Sequence, residues 1–159
     1  MATGHVFTGS QIVEMAIQTE QSGNRFYQAA AEKASDGEMR ALLQWLAEQE
    51  ASHEQVFRRL LDEQHRDQGP KEEYSGQRAQ FIQALLDSRI FSTDPLPERD
   101  LETMTDAQVI DYALNFEKDT ILLFYEMRDL VSEMGAYTVG RLIEEEKTHV
   151  QRLHALRRA

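Results

Sequence analysis

Glu50-Ala51-Ser52-His53 and, in the second half of the chain, Glu146-Lys147-Thr148-His149 decide the fold. Each is a Glu-x-x-His, and residues i and i+3 of a helix share one face. Each also follows a lone acidic residue: Glu20 stands 30 positions before Glu50, and Glu117 stands 29 before Glu146. One pattern used twice at matched spacing predicts two helical hairpins. Together they turn four carboxylates and two imidazoles toward a common interior, which makes a site for two transition-metal ions inside a helical bundle.

The neighbours of these six residues support the inward direction. Glu20 lies between Ile17 and Tyr27, and Glu117 between Ile110-Ala113 and Ile121-Phe124. Glu50 and His53 interrupt the stripe Leu43-Leu46 and Phe57-Leu60; Glu146 and His149 interrupt Val139-Leu142 and Leu153-Leu156. A plain bundle would place Leu or Ile there. An unpaired buried carboxylate costs several kcal/mol, and four facing one another also repel. Two divalent cations cancel the four negative charges, and neutral imidazoles complete the shells. Carboxylate and imidazole ligands suit iron or manganese. The competing reading is surface charge in a misread register, since Glu is abundant at 18 of 159 residues. The matched spacing and the four interrupted stripes argue against it.

Helical periodicity extends outward from the motifs. A capping box at Thr8 and Gln11 starts a helix over about 9–33, and Ser35-Asp36-Gly37-Glu38 reads as a stop followed by a new cap. A second helix then runs to about Arg66 and pairs antiparallel with the first across so short a turn. A third begins near Thr105 or Asp106, and a fourth follows a turn at Gly135. The crossover between hairpins covers about 68–104 and holds all three prolines, Pro70, Pro95 and Pro97. Phe81, Ile82, Leu85, Leu86 and Ile90 predict a short amphipathic helix within it. A bundle helix of about 25 residues is roughly 37 Å long. A connection of this size can travel that length, so the second and third helices can run parallel. The expected fold is all-α: a ferritin-like four-helix bundle, two antiparallel hairpins joined by a long crossover, in one domain spanning 1–159.

Composition narrows the function classes. A net charge of −11 argues against nucleic acid and anionic membrane as partners. With no cysteine, disulfides, Cys-ligated zinc, iron–sulfur clusters and a thiol nucleophile are excluded. Nothing approaches a membrane-spanning run, and the opening residues lack the pattern of a secretory leader, so a cytoplasmic location is expected.

Other residues carry weaker signals. Tyr27 shares the face of Glu20 and is expected either to hydrogen-bond a ligand carboxylate or to fill the core. Gly23 either leaves room for a small ligand or lets helices approach closely. Tyr112, Phe116, Leu123, Met127 and Leu130 form a second apolar stripe on the third helix. Packing under the crossover explains it, as does a homodimer interface. Trp45 is expected to be packing, and His65 and His154 to be solvated.

The strings Glu20 through Phe26-Tyr27, Glu50-Ala51-Ser52-His53-Glu54, Phe116-Glu117-Lys118-Asp119 and Glu144-Glu145-Glu146-Lys147-Thr148-His149 resemble the di-iron domain of rubrerythrins. The resemblance covers nearly the whole chain apart from the crossover. It implies a di-iron centre with Glu20 and Glu117 as terminal ligands, Glu50 and Glu146 bridging, and one of His53 and His149 on each metal. It further implies a non-haem di-iron oxidoreductase that reduces hydrogen peroxide. Alternatives are ferrous-iron oxidation with iron handling or storage, and manganese catalase-like dismutation. Three departures stand out. Thr120 occupies a position where rubrerythrins place another carboxylate, and the four-Cys rubredoxin-like domain is absent. Phe124 stands where a counterpart of Tyr27 would fall. The second departure requires an external electron donor alongside the small-molecule oxidant.

Overall fold

The computed structural model describes residues 7–66, 73–87 and 98–158. The expectations for Pro70, Pro95, Pro97, Ile90 and the opening residues 1–6 lie outside them. Four long helices dominate: α1 (Gly9–Lys33), α2 (Gly37–Arg66), α5 (Asp106–Arg128) and α6 (Glu133–Arg158). Between the pairs lie α3 (Gly76–Asp87) and α4 (Glu98–Thr103).

Side chains that satisfy the first free N–H groups fix the helix starts. Thr8 and Gln11 form the expected capping box, with Gln11 N donating to Thr8 Oγ1 at 3.2 Å and Thr8 N to Gln11 Oε1 at 2.9 Å. Thr105 and Gln108 repeat it at α5. At α2 the cap is Asp36, whose carboxylate accepts from Met39 N at 2.8 Å. Each such cap contributes about 1 kcal/mol. The expected turn at Gly135 is corrected: α6 already begins at Glu133, and Gly135 N donates to Ser132 Oγ at 3.1 Å. Gly135 is a close-packing residue, since a Cβ there would lie 2.9 Å from Leu60 Cδ1 and 3.0 Å from Val131 Cβ.

The buried apolar side chains fall into two cores. One joins the start of α1 (Ile12, Val13, Ala16), the end of α2 (Phe57, Leu60), the end of α5 (Leu123, Phe124, Met127) and the start of α6 (Val139, Leu142, Ile143). The other joins the end of α1 (Tyr27, Ala30), the start of α2 (Leu43, Leu46), the start of α5 (Ile110, Ala113) and the end of α6 (Leu153). Sharing ends in this way makes each hairpin antiparallel and lets α2 and α5 run parallel. The crossover must therefore traverse the bundle, which is ferritin-like topology.

The crossover is tied down at three places. Phe7 and Thr8 (β1) pair antiparallel with Tyr74 and Glu73 (β2), a two-residue contact the sequence pattern does not announce. Gly76 follows at φ +66°, the left-handed region that favours glycine. In α3, Ala79, Ile82 and Leu85 enter the first core, while Phe81 faces outward. The unforeseen α4 sets Leu101 into the second core.

The second stripe of α5 is largely covered within the chain. Phe116, Leu123 and Met127 are buried, Leu123 and Met127 in one core with Ala79 and Ile82, and Tyr112 packs at a tilt on Phe26 at 4.7 Å between ring centroids. This removes the observation on which a homodimer was expected. Among the described residues no helix is long and apolar enough to cross a membrane.

Candidate metal centre

Between the two dry cores lies a polar layer. Glu20, Glu50, Glu117 and Glu146 are 0% exposed and His53 and His149 are 1% exposed; α1 and α5 give one Glu each, and α2 and α6 one Glu–His pair each. All six sequence-identified residues are thus brought together. They form two overlapping sets, Glu20-Glu50-His53-Glu146 and Glu50-Glu117-Glu146-His149, and in each set the ligand atoms lie within 4.8 Å of one another. Glu50 and Glu146 belong to both. His53 sits with Glu20, and His149 with Glu117.

The atoms crowd at ion-pair distances. His53 Nδ1 lies 2.7 Å from Glu146 Oε1, and His149 Nδ1 lies 2.8 Å from Glu146 Oε2. Even so, both nitrogens and both Glu146 oxygens lack an aligned hydrogen-bond partner, as do the oxygens of Glu20 and Glu50. The two imidazoles are stacked, with centroids 5.4 Å apart and planes 11° from parallel. Two ligand atoms that each bind one ion at about 2.0–2.2 Å stand roughly 3 Å apart when they subtend a right angle. These lone pairs converge on shared points between them. Orphaned buried acceptors are otherwise rare and costly, so the residues fit a pair of divalent cations.

The protonation pattern agrees. Burial, and then the charge of Glu146, push the Glu117 carboxyl up to about 8. Burial and three neighbouring carboxylates raise Glu50 well above its usual value, and burial raises Glu20. Burial pulls both imidazoles down, but adjacent carboxylates outweigh it, leaving His53 at about 11 and His149 at about 9. Burial would raise Glu146, yet the two imidazoles beside it hold it well below the carboxylate range. The cluster gathers positive charge by whatever means is at hand, and in the metal-free chain the means is protons.

The weaker signals now resolve. Tyr27 is fully buried and its hydroxyl donates to Glu117 Oε1, across the bundle from its own helix. Burial and the Glu117 charge raise its phenol well above the ordinary value of 10.0. A Cβ on Gly23 would stand 2.5 Å from Glu50 Oε2 and 2.9 Å from Phe116 Cε1, so glycine there lets Glu50 reach the centre. Thr120 is buried with no partner for its hydroxyl. His65 and His154 are exposed.

Two residues at the site escaped the sequence reading. Glu145, read only as part of an acidic run, accepts from the outer nitrogen of His53, with Oε2 3.0 Å from Nε2. Trp45, expected to be packing, stands edge-on to His149 at 5.3 Å between centroids.

A four-helix bundle with a carboxylate–imidazole layer at mid-height defines the class, a ferritin-like protein built around a candidate dinuclear site. Within that class the chain belongs to the rubrerythrin family, whose family model matches residues 11–157. It is similar to a solved Thermotoga maritima structure described as a candidate ferritin-like diiron-carboxylate protein. The two share 28% identity over 97% of each chain, with a TM-score of 0.74. A search of curated proteins finds no match.

Proposed function

We propose that this protein is a non-haem di-iron oxidoreductase that reduces hydrogen peroxide to water with electrons from a separate donor. The observation that carries the reading is the pair of overlapping four-residue ligand sets, all buried and with most of their inward-facing acceptors unsatisfied. Glu20, Glu50, His53 and Glu146 would hold one ion, and Glu50, Glu117, Glu146 and His149 the other, Glu50 and Glu146 bridging. A ferrous pair bound there supplies two electrons, which with two protons convert one peroxide to two waters.

The chain's own residues provide the setting. The two apolar cores keep bulk water from the layer, so its charges act in a medium of low effective dielectric. Tyr27 fixes the orientation of Glu117 by donating to one oxygen, which leaves the other to face the centre. Gly23 gives Glu50 the space to reach inward. With no cysteine in the chain, the reducing equivalents come from another molecule.

The test is stopped-flow mixing of the ferrous-loaded protein with peroxide and, separately, with air-saturated buffer. Faster oxidation by peroxide is the expected result. Equal or slower oxidation than by dioxygen overturns the peroxidase reading in favour of ferrous-iron oxidation. Elemental analysis of protein purified without added metal separates iron from manganese, and two iron atoms per chain are expected.

A further inference from the structure

The two halves of the centre are sealed differently. The repeat places the residues of one half on those of the other. Trp45, five before Glu50, corresponds to Arg141, five before Glu146; Arg152, three after His149, corresponds to Val56, three after His53. On the His149 side the larger pair closes the wall. Trp45 meets the imidazole edge-on, and the Arg152 guanidinium carbon lies 4.0 Å from the centre of the indole ring. The outer nitrogen of His149 is buried without a partner.

On the His53 side the corresponding space is open. A cleft of about 420 Å³ between α2 and α6 reaches the ring, with Val56, Arg141, Tyr137 and Glu145 among its walls. The outer nitrogen of His53 is held by Glu145, whose side chain is 45% exposed. In the other half the counterpart of Glu145 is Gln49, and it makes no hydrogen bond to His149.

We infer that the two cation positions exchange with solvent at different rates. The ion beside His53 loads and leaves through this cleft, with Glu145 as the positioning residue that steadies His53. The ion beside His149 is shut in by Trp45 under Arg152. The inference rests on the di-metal reading of the site and deepens it by assigning a route. For an ion to leave, a ligand ring must swing away. His53 has empty space beside it and an exposed partner that can follow, whereas the His149 ring meets the indole. Arg59 and Arg141 offset Glu63 and Glu145 at the mouth, so electrostatic steering of cations is weak and geometry sets the rate.

The experiment loads the full chain with two ferrous ions under argon and mixes it with excess of a chelator that colours on binding ferrous iron. Release in two phases of equal amplitude is expected. E145A should speed the fast phase roughly ten- to hundredfold, the usual effect of removing the outer partner of a ligand histidine, and leave the slow phase unchanged. R141W, which puts an indole at the open position, should slow the fast phase, and W45A should speed the slow one. Positions 145 and 141 lie toward solvent, and a thermal melt of each variant checks that it folds. Release in a single phase overturns the inference, as does a fast phase indifferent to both E145A and R141W. Uptake of fewer than two ions by the unaltered chain would instead overturn the di-metal reading beneath it.

Discussion

The α1–α2 hairpin and the α5–α6 hairpin present the same three ligand positions in the same order and differ at most residues behind them. Tyr27 of the first donates to Glu117, while its counterpart Phe124 only packs against Phe57, with centroids 4.9 Å apart. Gly23 makes room for Glu50, and its counterpart Thr120 fills that space with a buried hydroxyl. Trp45 covers one imidazole where Arg141 leaves the other open. Glu117 thus receives a hydrogen bond that Glu20 lacks. What is shared is what six inward-facing ligands demand of any helical pair. What differs makes the two halves chemically distinct.

The strongest way to test that division is to remove a shared ligand and compare it with a terminal one. Glu50 belongs to both ligand sets and Glu20 to one. Glu50→Ala is expected to abolish binding of both ions and with it peroxide reduction, whereas Glu20→Ala should leave about one iron per chain by elemental analysis. Equal losses in the two variants would mean that the halves are not separable.

A second comparison uses pH on metal-free protein. His149 at about 9 and His53 at about 11 are raised above 6.5, and Glu117 at about 8 above 4.5. Each therefore stabilises the fold in its protonated form. That stability is complete below the unfolded-state value and is lost as pH rises through the folded one. Melting temperature of the metal-free chain should fall between pH 6.5 and 9, with Glu117 and His149 giving up their share before His53. Loading with ferrous ion displaces these protons, so it should tighten as pH rises and reverse the slope. Parallel pH profiles for the two forms would contradict the account.

The smallest effect expected is at Thr120. Threonines of the other long helices return their hydroxyl to a carbonyl four residues back, as Thr19 does to Met15 O at 2.9 Å and Thr148 to Glu144 O at 3.2 Å. Thr120 makes no such bond. Thr120→Val keeps the shape and removes an unsatisfied buried group, so the metal-free protein should gain about 1 kcal/mol. That is a rise of roughly 2–4 °C in melting temperature for a chain of this size. A loss of stability would show that the hydroxyl has a partner after all.

Much of this was legible in the chain because helices write their geometry at short range. The Thr8–Gln11 cap set the start of α1, and Glu-x-x-His placed two ligands on one face at each of two sites. The four lone interruptions of apolar stripes identified the buried carboxylates. What escaped depends on contacts between elements. Glu145 and Trp45 reach His53 and His149 across a helix interface, from positions whose local pattern is ordinary. The β1–β2 pairing is too short to show alternation, and α4, at six residues, is too short for a period. Gly135 misled because glycine marks both turns and tight crossings; the cap at Ser132 three residues earlier was the better guide.

The polar layer between two dry cores has a mechanical side as well. Apolar side chains alone tolerate sliding, because one Leu replaces another at small loss. Here a slip of α2 by one helical turn, about 5.4 Å, would carry Glu50 into the core where Leu46 and Leu43 now pack, and would press a carboxylate into hydrocarbon at several kcal/mol. The same six side chains that await cations therefore act as a detent, holding all four rods at one axial offset.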